Sequence, residues 1–492
     1  MSIIKSLVKE TAIYGLSYSL SRVINFLLIT TYLTHRVFIN QDGYFAIYQD
    51  IYFYIGLFLG ILTLRMETTF FRFVSDEKYE KKIYPLASQM VWSASLIFLI
   101  ICFIFFDSIK GFLKYPHLEK HIIIGLFIIV LDVIASLPFS KLRFKQQARK
   151  YAWIKLASVI CNILLILFVF EGIGIIQPEF RLSDQLSSDK LYYILLANLC
   201  SSLLTIFQLR HELYESFLKV DWTMAGLVLK YSWPLIIVTT SYSIILNGYT
   251  SFLKYLLPGT TIDNLSNSDG YAAAVRLAVI MNLFVTAFNY AAEPFFFRHA
   301  KNKQAPELYA KVSLYFVITC CFIYLFTCLY IDVFAQLLGP NYRGSIHLVS
   351  ILLIANIFSG IYTNFSSWYK LTDKTLTASI ISLFGLLLNI ILYILLIPRF
   401  GIDAAAWIAC LTYLFITICS YVQGQKKFPI PYPLIRMSLY LISVIVLVFL
   451  LKEIYHLLQL SFIFSSFISI ICIVFFSIYV YINEIKKVNL IF

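Results

Sequence analysis

Charge is what this sequence has least of. Asp, Glu, Lys and Arg make up 13% of its 492 residues, against roughly 25% in soluble domains, so there are too few charged side chains to coat a soluble surface of this size. Long polar loops are missing as well, which leaves no room for a catalytic or ligand-binding domain outside the apolar stretches. The sequence has no Gly-Lys phosphate loop of the ATP-binding kind, no Asp-x-Asp, no His-Glu-x-x-His and no Gly-x-Ser-x-Gly. Nucleotide hydrolysis, metalloproteolysis and serine hydrolysis are therefore not expected; the chain reads as a non-enzyme with no cofactor. The nine cysteines all fall inside apolar stretches and none forms a Cys-x-x-Cys pair, which argues against disulfides and zinc. No cleavable leader is evident, and the first apolar stretch reads as a retained helix.

What the chain does have is hydrocarbon: 60% of its residues are hydrophobic and its mean hydropathy is +0.82. Apolar windows long enough to cross a bilayer fall near 11–32, 44–64, 86–106, 121–139, 152–170, 191–209, 227–250, 271–292, 312–331, 346–365, 376–397, 402–422, 434–451 and 462–482. The expectation is an all-α polytopic membrane protein with fourteen transmembrane helices. A β-barrel is excluded because its strands would be alternating segments of only about 10 residues.

The net charge of +13 is a topology signal, not a nucleic-acid signal. With the N-terminus inside, the inner connections and helix ends hold 26 Lys and Arg and the outer ones hold 10. The positive-inside rule then places both termini in the cytoplasm. The polar stretch 211–225 is read as a linker between a six-helix N-lobe (1–210) and a six-helix C-lobe (226–422), with a last pair of helices in 423–492. The longest outer connections are expected near 171–190 and 251–270.

One phrase occurs twice. Asp42-Gly43-Tyr44 leads through an apolar span to Glu67 and Arg72, and Asp269-Gly270-Tyr271 leads through another to Glu293 and Arg298. From glycine to glutamate is 24 residues in one copy and 23 in the other. Two lobes with the same helix count and matching signals at the same depth imply parallel repeats, an arrangement found among transporters.

Charges within the spans are costly, at about 2.5–3.5 kcal/mol each on insertion scales, so they mark cavities or partners. Arg22 lies midway along the first span, and Tyr18, Arg22 and Asn25 share a helix face by their i, i+4 and i+3 spacing. Arg22 is read either as a cation for an anionic head group or as half of an ion pair, with Asp132 of the fourth span the best partner. Asp132 itself fits a proton or cation relay, or a paired carboxylate. Arg276 sits in the outer third of the eighth span, with Asn282 and Asn289 deeper. Glu67, Arg72, Glu293 and Arg298 stand at inner helix ends as structural staples or as a gate. Their i, i+5 spacing favours pairing across helices over pairing within one. Pro234 favours a kink in the seventh span.

Four phrases stand out: Lys9-Glu10-Thr11-Ala12-Ile13-Tyr14-Gly15, Met66-Glu67-Thr68-Thr69-Phe70-Phe71-Arg72-Phe73, Tyr290-Ala291-Ala292-Glu293-Pro294-Phe295-Phe296-Phe297 and Ile397-Pro398-Arg399-Phe400-Gly401-Ile402. They resemble the Wzx-type polysaccharide flippases of the multidrug/oligosaccharidyl-lipid/polysaccharide exporter superfamily. Two positions depart from that family's pattern: Tyr249-Thr250 stands where relatives carry an Asp-Arg pair, and Asn289 where they often carry arginine. The resemblance implies a bacterial inner-membrane protein with two lobes around a cationic cavity. Its substrate would be an undecaprenyl-pyrophosphate-linked oligosaccharide, moved between leaflets by alternating access for lipopolysaccharide, capsule or exopolysaccharide assembly. Its partners would be that lipid-linked oligosaccharide, membrane lipids, and a glycan polymerase with its chain-length machinery. A drug or metabolite antiporter, a lipid II flippase and, more distantly, a membrane glycan polymerase are the alternatives.

Overall fold

A backbone in hydrocarbon must satisfy its own hydrogen bonds, which leaves helices as the solution for this composition. The computed structural model describes residues 23–39, 42–74, 76–115, 118–173, 187–217, 221–299, 304–366, 368, 369, 372 and 374–485, and every regular element among them is helical. Tyr18 and Arg22 lie outside the described residues. In chain order the main helices are α1 (Leu28–Val37), α2 (Tyr44–Leu62), α3 (Met66–Val74), α4 (Glu80–Ile104), α5 (Phe106–Leu113), α6 (Glu119–Phe144), α7 (Ala148–Leu167) and α8 (Ser187–Gln208). They continue with α9 (Ala225–Asn247), α10 (Tyr249–Leu256), α11 (Thr261–His299), α12 (Ala305–Leu329), α13 (Val349–Phe365), α14 (Thr375–Lys427), α15 (Leu434–Leu457) and α16 (Phe462–Val480).

Eleven helical stretches among the described residues are long and apolar enough to cross a membrane, or twelve if α9 and α10 form one bent span. One of the eleven, within α14, needs a closer look. Its 53 residues would extend ~80 Å as one rod, far beyond the ~30 Å hydrocarbon core. Gly401 divides it, with φ 65° and ψ −148°, a conformation that L side chains avoid. The stretches near 376–397 and 402–422 thus fall on opposite sides of a backbone break.

Two expected boundaries move. The outer connection near 251–270 is largely helical: α10 occupies its first residues and α11 begins at Thr261. The start of α11 is fixed by a reciprocal cap. Thr260 N–H donates to Asp263 Oδ2 at 3.3 Å, and Asp263 N–H donates to Thr260 Oγ1 at 3.3 Å, the logic of a capping box. Pro234 sits inside α9, and the seventh span is broken further along, at Gly248, where α9 and α10 meet at 58°. A Cβ at Gly248 would lie 2.6 Å from the Ile244 carbonyl oxygen, so the bend depends on the missing side chain.

The chain resolves into two compact units. The first joins the residues up to Ala272 with Thr375–Ala405, and the second joins Ala273–Lys374 with Ala406–Phe492. In the first, α6 packs on α8, α4 and α2, and α2 also packs along α9. In the second, α12 is the hub, packing on α13, α15 and α16. Trp368 is buried there, with its indole N–H on the Ser420 carbonyl at 3.3 Å. The indole fills space left by Gly424, whose absent Cβ would lie 2.9 Å from it.

Candidate functional site

The most heavily bonded charges of the first unit lie at the end expected to face outside. Asp50 is in the second turn of α2, and Ser251 and Lys254 are on α10. Both Asp50 and Lys254 side chains are fully buried, with Lys254 Nζ 2.7 Å from Asp50 Oδ2. The carboxylate also accepts hydrogen bonds from the Tyr115 hydroxyl and the Ser251 hydroxyl. Ser251 lies 3.1 Å from the Tyr54 hydroxyl, and Lys254 Nζ is 3.4 Å from the Tyr115 hydroxyl. Three aromatic rings surround the ammonium, with centroids at 4.4 Å (Tyr115), 4.9 Å (Tyr255) and 5.9 Å (Tyr54). The i, i+3 spacing of Ser251 and Lys254 puts both on one face of α10, and the bend at Gly248 turns that face onto α2.

The repeated phrase meets itself beside this cluster. Asp269 of the second copy accepts the Gly43 N–H on Oδ2 and the Ala46 N–H on Oδ1, each at 2.7 Å. A carboxylate on the free N–H groups at a helix N-terminus is a strong cap. The two copies adopt different backbones. Gly43 has φ 83°, and a Cβ there would meet the Ser266 amide nitrogen at 3.2 Å, whereas Gly270 runs inside continuous α11.

The expected site residues are spread more widely. Asp132 accepts from the Ser202 hydroxyl of α8 at 2.8 Å, and Lys155 of α7 lies with its ammonium 4.0 Å from the Phe139 ring. Whether Asp132 meets Arg22 lies outside the described residues. Asn25 is exposed. Arg276, Asn282 and Asn289 follow one another along α11, all partly buried, and Asn282 Oδ1 accepts from Thr286 at 3.4 Å. Glu67 pairs with Arg143 of α6 at 3.0 Å, while Arg72 on its own helix is exposed. The side chains of Glu293 and Arg298 are outside the described set.

At the end expected to face the cytoplasm, the stretch read as a linker is tied to three helices. Lys141 and Lys145 both reach Glu215, the latter at 3.3 Å. Lys150 holds Glu212 at 2.7 Å and Lys82 holds Asp221 at 3.1 Å. Burial works to raise the Glu215 carboxyl, but bonds and charge from Lys141 and Lys145 outweigh it and leave it below its ordinary value. Among the described residues no group of three or more His, Cys, Asp or Glu is placed to hold a metal. In the second unit a groove of about 620 Å³ runs along α15 and α16. It is lined by apolar residues such as Leu439, Val444, Leu447 and Phe475, with Arg436 and Glu484 among its polar lining.

Asp50 and Lys254 escape sequence reading for different reasons. Asp50 is a charge inside an apolar span, which is the signal that singled out Arg22 and Asp132, but it lies close to the span's end. Lys254 falls in a stretch that reads as an outer loop.

No family model and no curated protein sequence matches this chain. Its structure does match solved ones. A lipid II flippase MurJ in an inward closed conformation superposes with a TM-score of 0.70 at 15% identity, over 96% of this chain and 99% of that one. The Vibrio cholerae MATE transporter VcmN in its bent form gives 0.58 at 16% identity, over 89% of this chain and 98% of that one. An inward-facing multidrug resistance MATE family transporter of the MOP superfamily gives 0.54 at 13% identity, over 87% and 95%. The chain therefore has the all-helical, multi-pass fold shared by these transporters and this flippase.

Proposed function

We propose that the chain is a flippase for a polyisoprenyl-diphosphate-linked oligosaccharide, of the Wzx type, working by alternating access in the bacterial inner membrane. Such a substrate joins a hydrated glycan, two phosphates and a long hydrocarbon tail. It requires a polar path with cations and an apolar lane beside it. The observation that carries this reading is the presence, on one exporter fold, of an apolar groove of about 620 Å³ along the last two helices. That chemistry suits a lipid tail better than a soluble drug. Arg22 is the proposed mid-membrane cation for the diphosphate, because its planar fork matches phosphate oxygens. Fourteen spans in a 6 + 6 + 2 arrangement, with both termini cytoplasmic, are part of the same proposal.

The test is reconstitution of the full chain in vesicles with a labelled lipid-linked oligosaccharide. Glycan becoming accessible to an impermeant glycosidase on the opposite leaflet supports the proposal. Efflux of a cationic dye with no glycan movement would make the chain a drug antiporter. Movement confined to lipid II would make it a peptidoglycan-precursor flippase.

A further inference from the structure

The Asp50–Lys254 pair has no structural need to be charged. Burying two ions costs several kcal/mol of hydration that their attraction only partly returns, and a well-packed apolar pair of similar size often serves a static core as well or better. Ion pairs of this kind find their use where the two charges also act apart. This one joins α2 to a short helix hung on a glycine bend, so its two halves can part by movement at Gly248.

The surroundings indicate what the lysine meets once parted. Lys114 places its ammonium 5.5 Å from the face of Tyr255, the same ring that has Lys254 at 4.9 Å. Tyr255 is 37% exposed. With Asp50 withdrawn, two ammonium groups flank one accessible aromatic ring. Two cations and a ring form a receptor for a diphosphate with a sugar attached, by charge pairing and ring stacking.

We propose that Asp50 holds Lys254 in reserve as an oxyanion ligand. The pair closes the outer end, and when α10 swings away the diphosphate of the lipid-linked substrate takes Asp50's place on Lys254, with Lys114 as the second cation. On closing, Asp50 and Tyr115 reclaim the ammonium while Ser251 returns to the Asp50 carboxylate, and the head group is expelled, so that latch closure and product release are one event. No covalent step is involved; one carboxylate is exchanged for one phosphate. This inference rests on the diphosphate substrate proposed above.

Thr250 supplies a reporter. It is fully buried on α10 and its hydroxyl has no hydrogen-bond partner, so Thr250→Cys is nearly isosteric. The full chain is purified in detergent, and alkylation by a hydrophilic maleimide is read by mass spectrometry at the peptide carrying residue 250. Asp50→Asn should raise the rate about tenfold, because a buried charge that loses its partner shifts the closed–open balance by at least that factor. Millimolar inorganic pyrophosphate should then slow the reaction, and the protection should vanish in Asp50→Asn/Lys254→Gln and weaken in Asp50→Asn/Lys114→Gln. If Asp50→Asn does not accumulate, Tyr115→Phe and Ser251→Ala, which remove hydroxyl donors without changing charge, should show the same rise on a smaller scale.

Unchanged labelling in every one of these variants would sink the latch. Protection that survives Lys254→Gln would sink the phosphate site. In nanodiscs a polyisoprenyl diphosphate should protect where phosphatidylglycerol at the same mole fraction does not; equal protection would make this a general headgroup site and overturn the assignment to substrate. A chain that shows the full protection pattern yet moves no glycan in vesicles would refute the proposed function and leave the site standing.

Discussion

The two ends of the first unit handle charge in opposite ways. At the end expected to face outside, Asp50 and Lys254 are sealed from solvent, with the Tyr115 and Ser251 hydroxyls on the carboxylate. At the end expected to face the cytoplasm a string of lysines and carboxylates is partly open, with side-chain exposures of 8% and 45% for Lys141 and Glu215, and 57% and 34% for Lys82 and Asp221. A sealed pair is screened little by salt and is either made or broken. An open cluster is screened, shares its load and yields gradually. The sealed end thus suits the proposed switch, and the open end a tether that holds the stretch 211–225 on α4, α6 and α7.

The largest expected effect breaks the sealed pair on one side only. Lys254→Met leaves Asp50 buried without its counter-ion and should cost ~3–5 kcal/mol. The double change Asp50→Leu with Lys254→Met should recover most of that loss. Thermal unfolding of the purified variants checks this, and a double variant as unstable as the single one would mean that the pair is an ordinary structural contact. Next comes the cap. Asp269→Ala removes the acceptor of two buried N–H groups and should cost ~1–2 kcal/mol. Gly43→Ala, forced to keep φ 83°, should cost ~1 kcal/mol more. Both should lower the melting temperature while leaving the Glu215 cluster intact, as read by limited proteolysis within 211–225.

The smallest effect belongs to the tether. Glu215→Gln should cost ~0.5–1 kcal/mol, because the residue is about half exposed and its pairs are screened. Its folded carboxyl lies below the ordinary value. Its contribution is therefore present above the unfolded pKa of ~4.3 and is lost as pH falls through the lower folded value. Proteolysis of the linker should speed up as pH drops through that window, and also as salt is raised at neutral pH. Labelling at Thr250→Cys should ignore the same rise in salt. If salt moved both readouts alike, the contrast between the two ends would fail.

Sequence reading reached the helices well and their partners poorly. The window at 121–139 lies inside α6 and that at 86–106 runs along α4 to its end at Ile104, because a long apolar run in a bilayer has one backbone solution. The separation of 376–397 from 402–422 was also legible, since the apolar windows part there, and the backbone breaks at Gly401. The outer stretch 251–270 was misread because helix formation there depends on a cap and on burial against α2, which an average of hydropathy does not register. The break at Gly248 went unread, because it rests on the close approach of that residue to the Ile244 carbonyl, which no local pattern marks.

Composition and hydropathy by themselves determined that this chain is a multi-pass helical protein and where most of its helices run. These properties are local, since each residue's transfer energy is nearly independent of distant neighbours. The tertiary structure alone decided that Asp50 meets Lys254 across 204 residues of chain and that Asp269 caps a helix 226 residues before it. Two identical Asp-Gly-Tyr phrases became a helix start and a helix interior for the same reason. A charge finds its partner through the packing of whole helices, and no local pattern encodes which face will meet which.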